Sequence, residues 1–347
     1  MRYATTRNDR DALAPPETLR SSRAPDGGFC IPLESLHFTG KDLETLKTRS
    51  FHDILAEVLN RMFGSSLTRW DLEFALGKRP VRIEALGQRI VMGELWHNTG
   101  WQFHTLVRDT VDLISPQADI RGTVSDWAKI AVRIAVLFAM AGQLQRQGLL
   151  EPGQKMDVSV LTGDFSGAMS LWYARRWGLP VRNIICACNE NSGLWELFHH
   201  GQLHTDAAAK PTATPEADVV VPAGLERLIH ACGGAWEVER FVEICRRGGV
   251  YTPEELTLER MRQGLYVNVV SQRRMNETIP TAYATHGYLL NPYTAIAYAG
   301  LLDYRAATGE SHSGLILADR SPDCDLAAVA KALGVPEQRL KDRKDNL

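Results

Sequence analysis

Several imidazoles, a cluster of acids and one glycine-bracketed serine are the groups in this sequence that could do chemistry. His104 could serve as a general base or a metal ligand, and His97, seven positions earlier, would share its face if the segment were helical. The plainer reading of His104 is a partly buried, hydrogen-bonded imidazole. Phe198-His199-His200-Gly201-Gln202-Leu203-His204 offers two imidazoles at i and i+4, a spacing that binds zinc on a helix. Gly201 interrupts such a helix, so no metal site is expected there. Ser166, in Gly163-Asp164-Phe165-Ser166-Gly167, invites comparison with a nucleophile elbow. The order is Gly-x-x-Ser-Gly rather than Gly-x-Ser-x-Gly, and no partner histidine can be placed, so Ser166 reads as an N-terminal helix residue. Asp164 reads as that helix's cap, worth about 1 kcal/mol.

The elements that must position these groups follow from periodicity. Residues 1–35 are rich in turns, with Phe29-Cys30-Ile31-Pro32 as a short buried piece. From Lys41 the apolar positions Leu43, Leu46, Ile54, Leu55, Val58, Leu59 and Met62 recur at helical spacing, which predicts one amphipathic helix. A strand over Arg89–Met92 leads into the His104 segment, and Ser125 caps a helix through Leu144. Asp157–Cys188 reads as a βαβ unit: a strand, a glycine turn, a helix from Ser166 to Trp177, the stop Gly178-Leu179-Pro180, and a strand over Asn183–Cys188. Such units imply a parallel sheet flanked by helices, with ligands at strand C-termini, where Gly163 and Asn189 would lie. Residues 202–218 read as an exposed loop, Gly314–Ala318 as a strand, the segment from Asp325 as a helix, and Lys341–Leu347 as a polar tail.

Composition narrows the function. Lys plus Arg number 39 against 41 Asp plus Glu, a net charge of -2 over 347 residues. No large basic field exists to hold nucleic acid or an anionic membrane. No apolar run approaches the roughly 18 residues of a membrane span, and the N-terminus lacks a secretory pattern, so a cytoplasmic protein is expected. Six cysteines without a Cys-x-x-Cys suggest neither a disulfide framework nor zinc. Cys186 and Cys188 alternate along a strand and read as packing residues.

An ordered series of motifs resembles the threonine synthase family. Glu94-Leu95-Trp96-His97-Asn98-Thr99-Gly100-Trp101-Gln102-Phe103-His104 is similar to the segment that presents the lysine holding pyridoxal phosphate (PLP), with His104 in the lysine's place. Val158-Ser159-Val160-Leu161-Thr162-Gly163-Asp164-Phe165-Ser166-Gly167 resembles the strand and phosphate-cradling turn, with Asp164 where the family has asparagine. Tyr3, Thr5-Thr6-Arg7, Ala24-Pro25-Asp26-Gly27-Gly28-Phe29, Cys188-Asn189-Glu190-Asn191, Glu226-Arg227-Leu228 and Gly287-Tyr288-Leu289-Leu290-Asn291-Pro292-Tyr293-Thr294-Ala295 continue the likeness. The resemblance implies a fold type II PLP-enzyme α/β domain over residues 94–347, preceded by a threonine-synthase-like N-terminal domain over residues 1–93. It also implies a small domain that is cut short at 105–126, since only 23 residues separate His104 from Trp127. The piece shortened there normally carries the Ser-Gly-x-Thr loop that grips the substrate carboxylate. The family's threonine facing the pyridine nitrogen corresponds to Asp319.

By this resemblance the cofactor positions are Thr162, Gly163, Asp164, Phe165, Ser166, Gly167 and Asp319, with His97 and Asn189 in the substrate pocket and His104 at the catalytic position. An imidazole cannot form the Schiff base that a lysine forms, and Asp164 would oppose the phosphate. The expectation is a threonine-synthase-like pseudoenzyme without a resident cofactor, non-covalent PLP being the alternative. Its partner would be a small polar metabolite or a protein. Two further readings are an enzyme repurposed for a small polar, amino-acid-like metabolite, with His104 as acid/base, and residual conversion of O-phosphohomoserine to threonine and phosphate.

Overall fold

The structure is a computed structural model that describes residues 1–9, 13–96, 103–116 and 124–342. Its strands are β1 (Tyr3–Thr5), β2 (Cys30–Pro32), β3 (Arg82–Gly87), β4 (Ile90–Glu94), β5 (Met156–Leu161), β6 (Val181–Cys188), β7 (Leu203–His204), β8 (Val250–Tyr251), β9 (Leu265–Val269) and β10 (Gly314–Ala318). Six of them form a central sheet in the order β3-β4-β10-β5-β6-β9. All neighbours in it are parallel except the β3–β4 pair. β1 pairs with β2 and β7 with β8 in separate two-stranded ribbons. This is the mixed α/β architecture, with a mostly parallel sheet between helices, that the βαβ pattern foretells.

Strand alternation explains the two layers of core. Along β10, Leu315 and Leu317 turn to one face while Ile316 and Ala318 turn to the other. The first face packs on the helix Asp126–Arg146, the second on the helix Pro292–Thr308. Because both faces are covered, β10 reads as a continuous apolar run rather than as an alternating one. β5 carries two buried polar residues: Asp157 pairs with Arg182, and Ser159 donates its hydroxyl proton to the Ala297 carbonyl at 2.6 Å.

Ser125 caps the helix Asp126–Arg146 as expected, its hydroxyl oxygen accepting from the Ala128 N–H at 3.0 Å. Contrary to the expectation that no run approaches a membrane span, that helix is long and apolar enough to cross a membrane by length and composition alone, but 94% of its most apolar window is buried. It is the helix against which the N-terminal helices pack. The single helix expected from Lys41 is two, Gly40–Leu46 and Phe51–Phe63. Ser50 breaks it, because its side chain accepts from the Asp53 N–H and opens a new helix there. The boundary expected at residue 93 falls inside β4, whose partner β10 lies more than two hundred residues on, so the β3–β4 hairpin belongs to the central sheet. The segment 105–126 holds the remainder of the helix Phe103–Ile114 and no strand among its described residues.

Candidate functional site

Parallel strands carry their backbone amides and helix N-termini to one edge of the sheet, and there the ends of β5 and β10 open a cleft of about 400 Å³. Thr162, Gly163, Asp164, Ser166 and Gly167 form one wall as the chain turns from β5 into the helix Ser166–Arg176. Leu317, Asp319 and Arg320 close the end of β10, and Lys129 and Arg133 reach in from the first turns of the helix Asp126–Arg146. Phe103, His104, Glu216, Ala217, Tyr293 and Thr294 complete the lining.

The turn after β5 is shaped by backbone sterics. Gly163 has φ +42° and the buried Phe165 has φ 71°, a left-handed conformation unusual for an aromatic residue. Phe165 therefore dives into the core while Asp164 and Ser166 stay on the cleft side. Gly224 packs on this turn, donating its N–H to the Asp164 carbonyl at 2.9 Å, and an added Cβ there would lie 2.8 Å from that oxygen. Asp164 Oδ1 accepts from the Ser166 N–H at 2.9 Å and from the Ser166 hydroxyl at 2.6 Å. The carboxylate thus takes the first amide of the helix, as the cap reading anticipates, although the helix's own cap residue is Phe165. Burial pushes the Asp164 carboxyl up, but the Ser166 bonds, Lys129 and Arg133 outweigh it and leave the group below the usual carboxylate range.

Charges alternate from the N-terminal region into the cleft. Arg227 is fully buried, gives Nε–H to the Cys30 carbonyl at 2.9 Å and lies over the Phe29 ring at 4.6 Å. Its Nη1 is 3.9 Å from Asp126, which is 4.0 Å from Lys129 Nζ, which in turn is 3.7 Å from Asp164 Oδ2. Arg133 follows, ion-paired through Nη2 to Asp319 and stacked on the Phe103 ring at 4.2 Å. Asp319 exposes 43% of its side chain to the cleft, yet burial raises its carboxyl above the ordinary value, Arg133 opposing and Asp164 adding to the shift.

The expected site residues separate into three groups. His104 lines the cleft as the second residue of its helix, and burial, then Lys129 and Arg108, lower its imidazole below the ordinary value. Thr162, Gly163, Asp164, Ser166, Gly167 and Asp319 converge on the same cleft, whereas Phe165 is turned into the core. Asn189 sits behind the wall: its amide nitrogen donates to Thr214 at 3.0 Å and Asp218 at 2.7 Å, tying down the loop over 205–219 rather than facing the cleft. His97 lies outside the described residues. His199 stacks on Trp195 at 4.5 Å, with His200 edge-on to the same ring, so these imidazoles pack on an indole.

Lys129, Arg133, Glu216 and Arg320 were not singled out from the sequence. Lys129 and Arg133 carried a signal: two cations four apart, inside an otherwise apolar helix, must share a face and a reason to be there. Arg320 and Glu216, joined at 2.8 Å, come together only through the fold.

Sheet order, flanking helices and a cleft at the strand C-termini make up an α/β fold of the kind found in the fold type II PLP enzyme threonine synthase structures. Residues 2–78 match the family described as Threonine synthase N terminus. Threonine synthase-like 1 of Homo sapiens is 27% identical over 178 residues, and threonine synthase of Pseudomonas aeruginosa 30% over 174 residues. Those matches take in 50% and 49% of this chain but only 24% and 36% of the relatives' own lengths. Among solved structures, PLP-bound threonine synthase from Brucella melitensis superposes with a TM-score of 0.84 at 20% identity, covering 96% of this chain and 92% of that one. The yeast threonine synthase gives 0.80 at 16% identity, covering 96% and 90%. The chain is thus similar to threonine synthases over about half of its sequence and shares their fold.

Proposed function

We propose that this chain is a threonine-synthase-like pseudoenzyme whose cleft has given up PLP chemistry and binds a small polar metabolite in a regulatory role. The observation that carries this reading is the Arg133–Asp319 ion pair. By the family resemblance Asp319 corresponds to the residue facing the pyridine nitrogen and the turn 162–167 to the phosphate cradle, so a guanidinium paired to Asp319 and lining the same cleft as that turn competes with a cofactor ring for the space. The remaining groups fit PLP no better. Asp164 already takes the Ser166 amide that would meet a phosphate and would set a carboxylate against it. His104 has no amine to offer.

Titrating the full-length protein with PLP while following its visible absorption, then reducing with borohydride and measuring intact mass, tests the proposal. No protein-bound band, no added mass and no thermal stabilisation is the expected result. A bound band distinct from free PLP would overturn it.

A second reading, acid/base catalysis on an amino-acid-like metabolite, draws support from His104, which lines the cleft with its imidazole biased toward the neutral form. That reading requires a turnover that His104→Ala abolishes. Formation of threonine and phosphate from O-phosphohomoserine would favour residual synthase activity over both.

A further inference from the structure

The cleft contains an amine, although not at the position where the family carries one. Among the described residues, Lys129 is the one lysine that lines the cleft. It is partly exposed, its Nζ lies 3.7 Å from Asp164, and it lines the same cleft as His104. One helical turn on, at i+4 and hence on the same face, stands Arg133. Its side chain is only 4% exposed, Asp319 engages a single nitrogen, and Nε and Nη1 have no hydrogen-bond partner among the described residues. A guanidinium buried with two nitrogens unsatisfied is costly, and an incoming carboxylate is the group that relieves it best.

We propose that Lys129 and Arg133 form a capture site for a small 2-oxo acid, Lys129 condensing with the carbonyl carbon and Arg133 holding the adjacent carboxylate. This rests on the reading of the cleft as a small-molecule site. The chemistry balances without a further reactant. The Lys129 ammonium gives up one proton to solvent, and the free amine adds to the carbonyl carbon, forming the C–N bond. The former carbonyl oxygen takes one proton from solvent and a second from nitrogen and leaves as water. A protonated imine remains, with the positive charge that Lys129 began with, and Asp164 is its counter-ion. Carboxylate and carbonyl are bonded neighbours in a 2-oxo acid, which suits two cations one helical turn apart.

The test uses the full-length protein, glyoxylate as the probe, sodium borohydride to fix the imine, and peptide mapping to locate carboxymethyl-lysine. The expected result is labelling of Lys129 at glyoxylate concentrations that leave exposed Lys155 untouched, and its loss in Lys129→Arg. Acetaldehyde, which has no carboxylate, should need a concentration at least about tenfold higher, the factor that one charge-assisted hydrogen bond supplies. Arg133→Gln should remove the preference for glyoxylate over acetaldehyde. The wild-type comparison of the two aldehydes decides the matter if that variant does not fold. Labelling of Lys129 no faster than of Lys155, or equal capture of both aldehydes, would overturn the proposal. Absence of labelling together with absence of a PLP band would sink this inference alone, whereas a PLP band would sink the loss of cofactor chemistry independently.

Discussion

Arg133 and Asp319, 186 residues apart in sequence, meet across the floor of the cleft, one from the buried face of a core helix and the other just past the end of β10. Arg133 is buried and Asp319 is its one ion-pair partner among the described residues, so the pair is unequal to its parts. Asp319→Ala strands a guanidinium that is already short of partners, and should lower stability by about 3 kcal/mol. Arg133→Met removes the cation but keeps the stem against Phe103, and combined with Asp319→Ala it should recover most of that loss. Urea melts of the three variants check this, and additive losses would show that the two groups are not coupled.

Asp164→Asn keeps an oxygen for the Ser166 amide but removes the negative charge beside Lys129. The cost should be small, about 1 kcal/mol. The variant should also gain affinity for inorganic phosphate, because the helix N-terminus would no longer face a carboxylate. Isothermal titration against the wild type measures the difference, and equal affinities would contradict the account of the turn.

At Gly178 an added side chain has nowhere to go. Its φ is +112°, and a Cβ would fall 2.2 Å from the Phe38 carbonyl oxygen, in a stretch where Phe38 N–H also bonds the Trp177 carbonyl at 2.9 Å. Gly178→Ala should therefore cost about 3 kcal/mol or more, through strain and overpacking together. A variant that melts within a few degrees of the wild type would refute this.

Glu310 links stability to acid at the opposite edge of the sheet. Arg182, which also holds buried Asp157 at 2.6 Å, and the Tyr304 hydroxyl both donate to it and depress its carboxyl from 4.5 to about 2. A carboxyl whose folded value is depressed binds its proton more readily in the unfolded chain. Its contribution is complete above pH 4.5 and disappears as the pH falls toward 2. Glu310→Gln should flatten the acid limb of the stability curve in that window, and an unchanged limb in a pH series of urea melts would count against it.

His104→Lys would return an amine to the family's position, yet no synthase activity should appear. The segment 105–126 has no strand among its described residues to rebuild a small domain around a substrate. Assays for threonine and phosphate from O-phosphohomoserine decide this, and turnover would show that the shortened segment is sufficient.

Local order was legible in the sequence. Ser125, the Asp157–Cys188 unit and the Gly314–Ala318 strand stand where periodicity and turn chemistry put them, because period, cap and glycine act within a few residues. The break at Ser50 was missed because apolar spacing runs on across it, while the capping bond that ends the run is a matter of local geometry. Resemblance led to the 162–167 turn and to His104, while the rule that ligands sit at strand C-termini drew Asn189 into the pocket. The chain instead spends that amide on the loop over 205–219.

The sequence by itself determined the parallel α/β layering, the strand-to-helix turn at Gly163 and the absence of a lysine at position 104. Each of these depends on residue identity or on neighbours in the chain. Only the tertiary structure decided that Arg133 would meet Asp319 and that Lys129 would stand between Asp126 and Asp164. It also decided that Arg227 would anchor that row of charges beneath Phe29. Apart from the Asp126–Lys129 pair within one helix, those contacts join separate elements, two of them from distant parts of the chain. Coulomb energy acts through distance in space, and that distance is set by how the sheet brings β5 and β10 side by side.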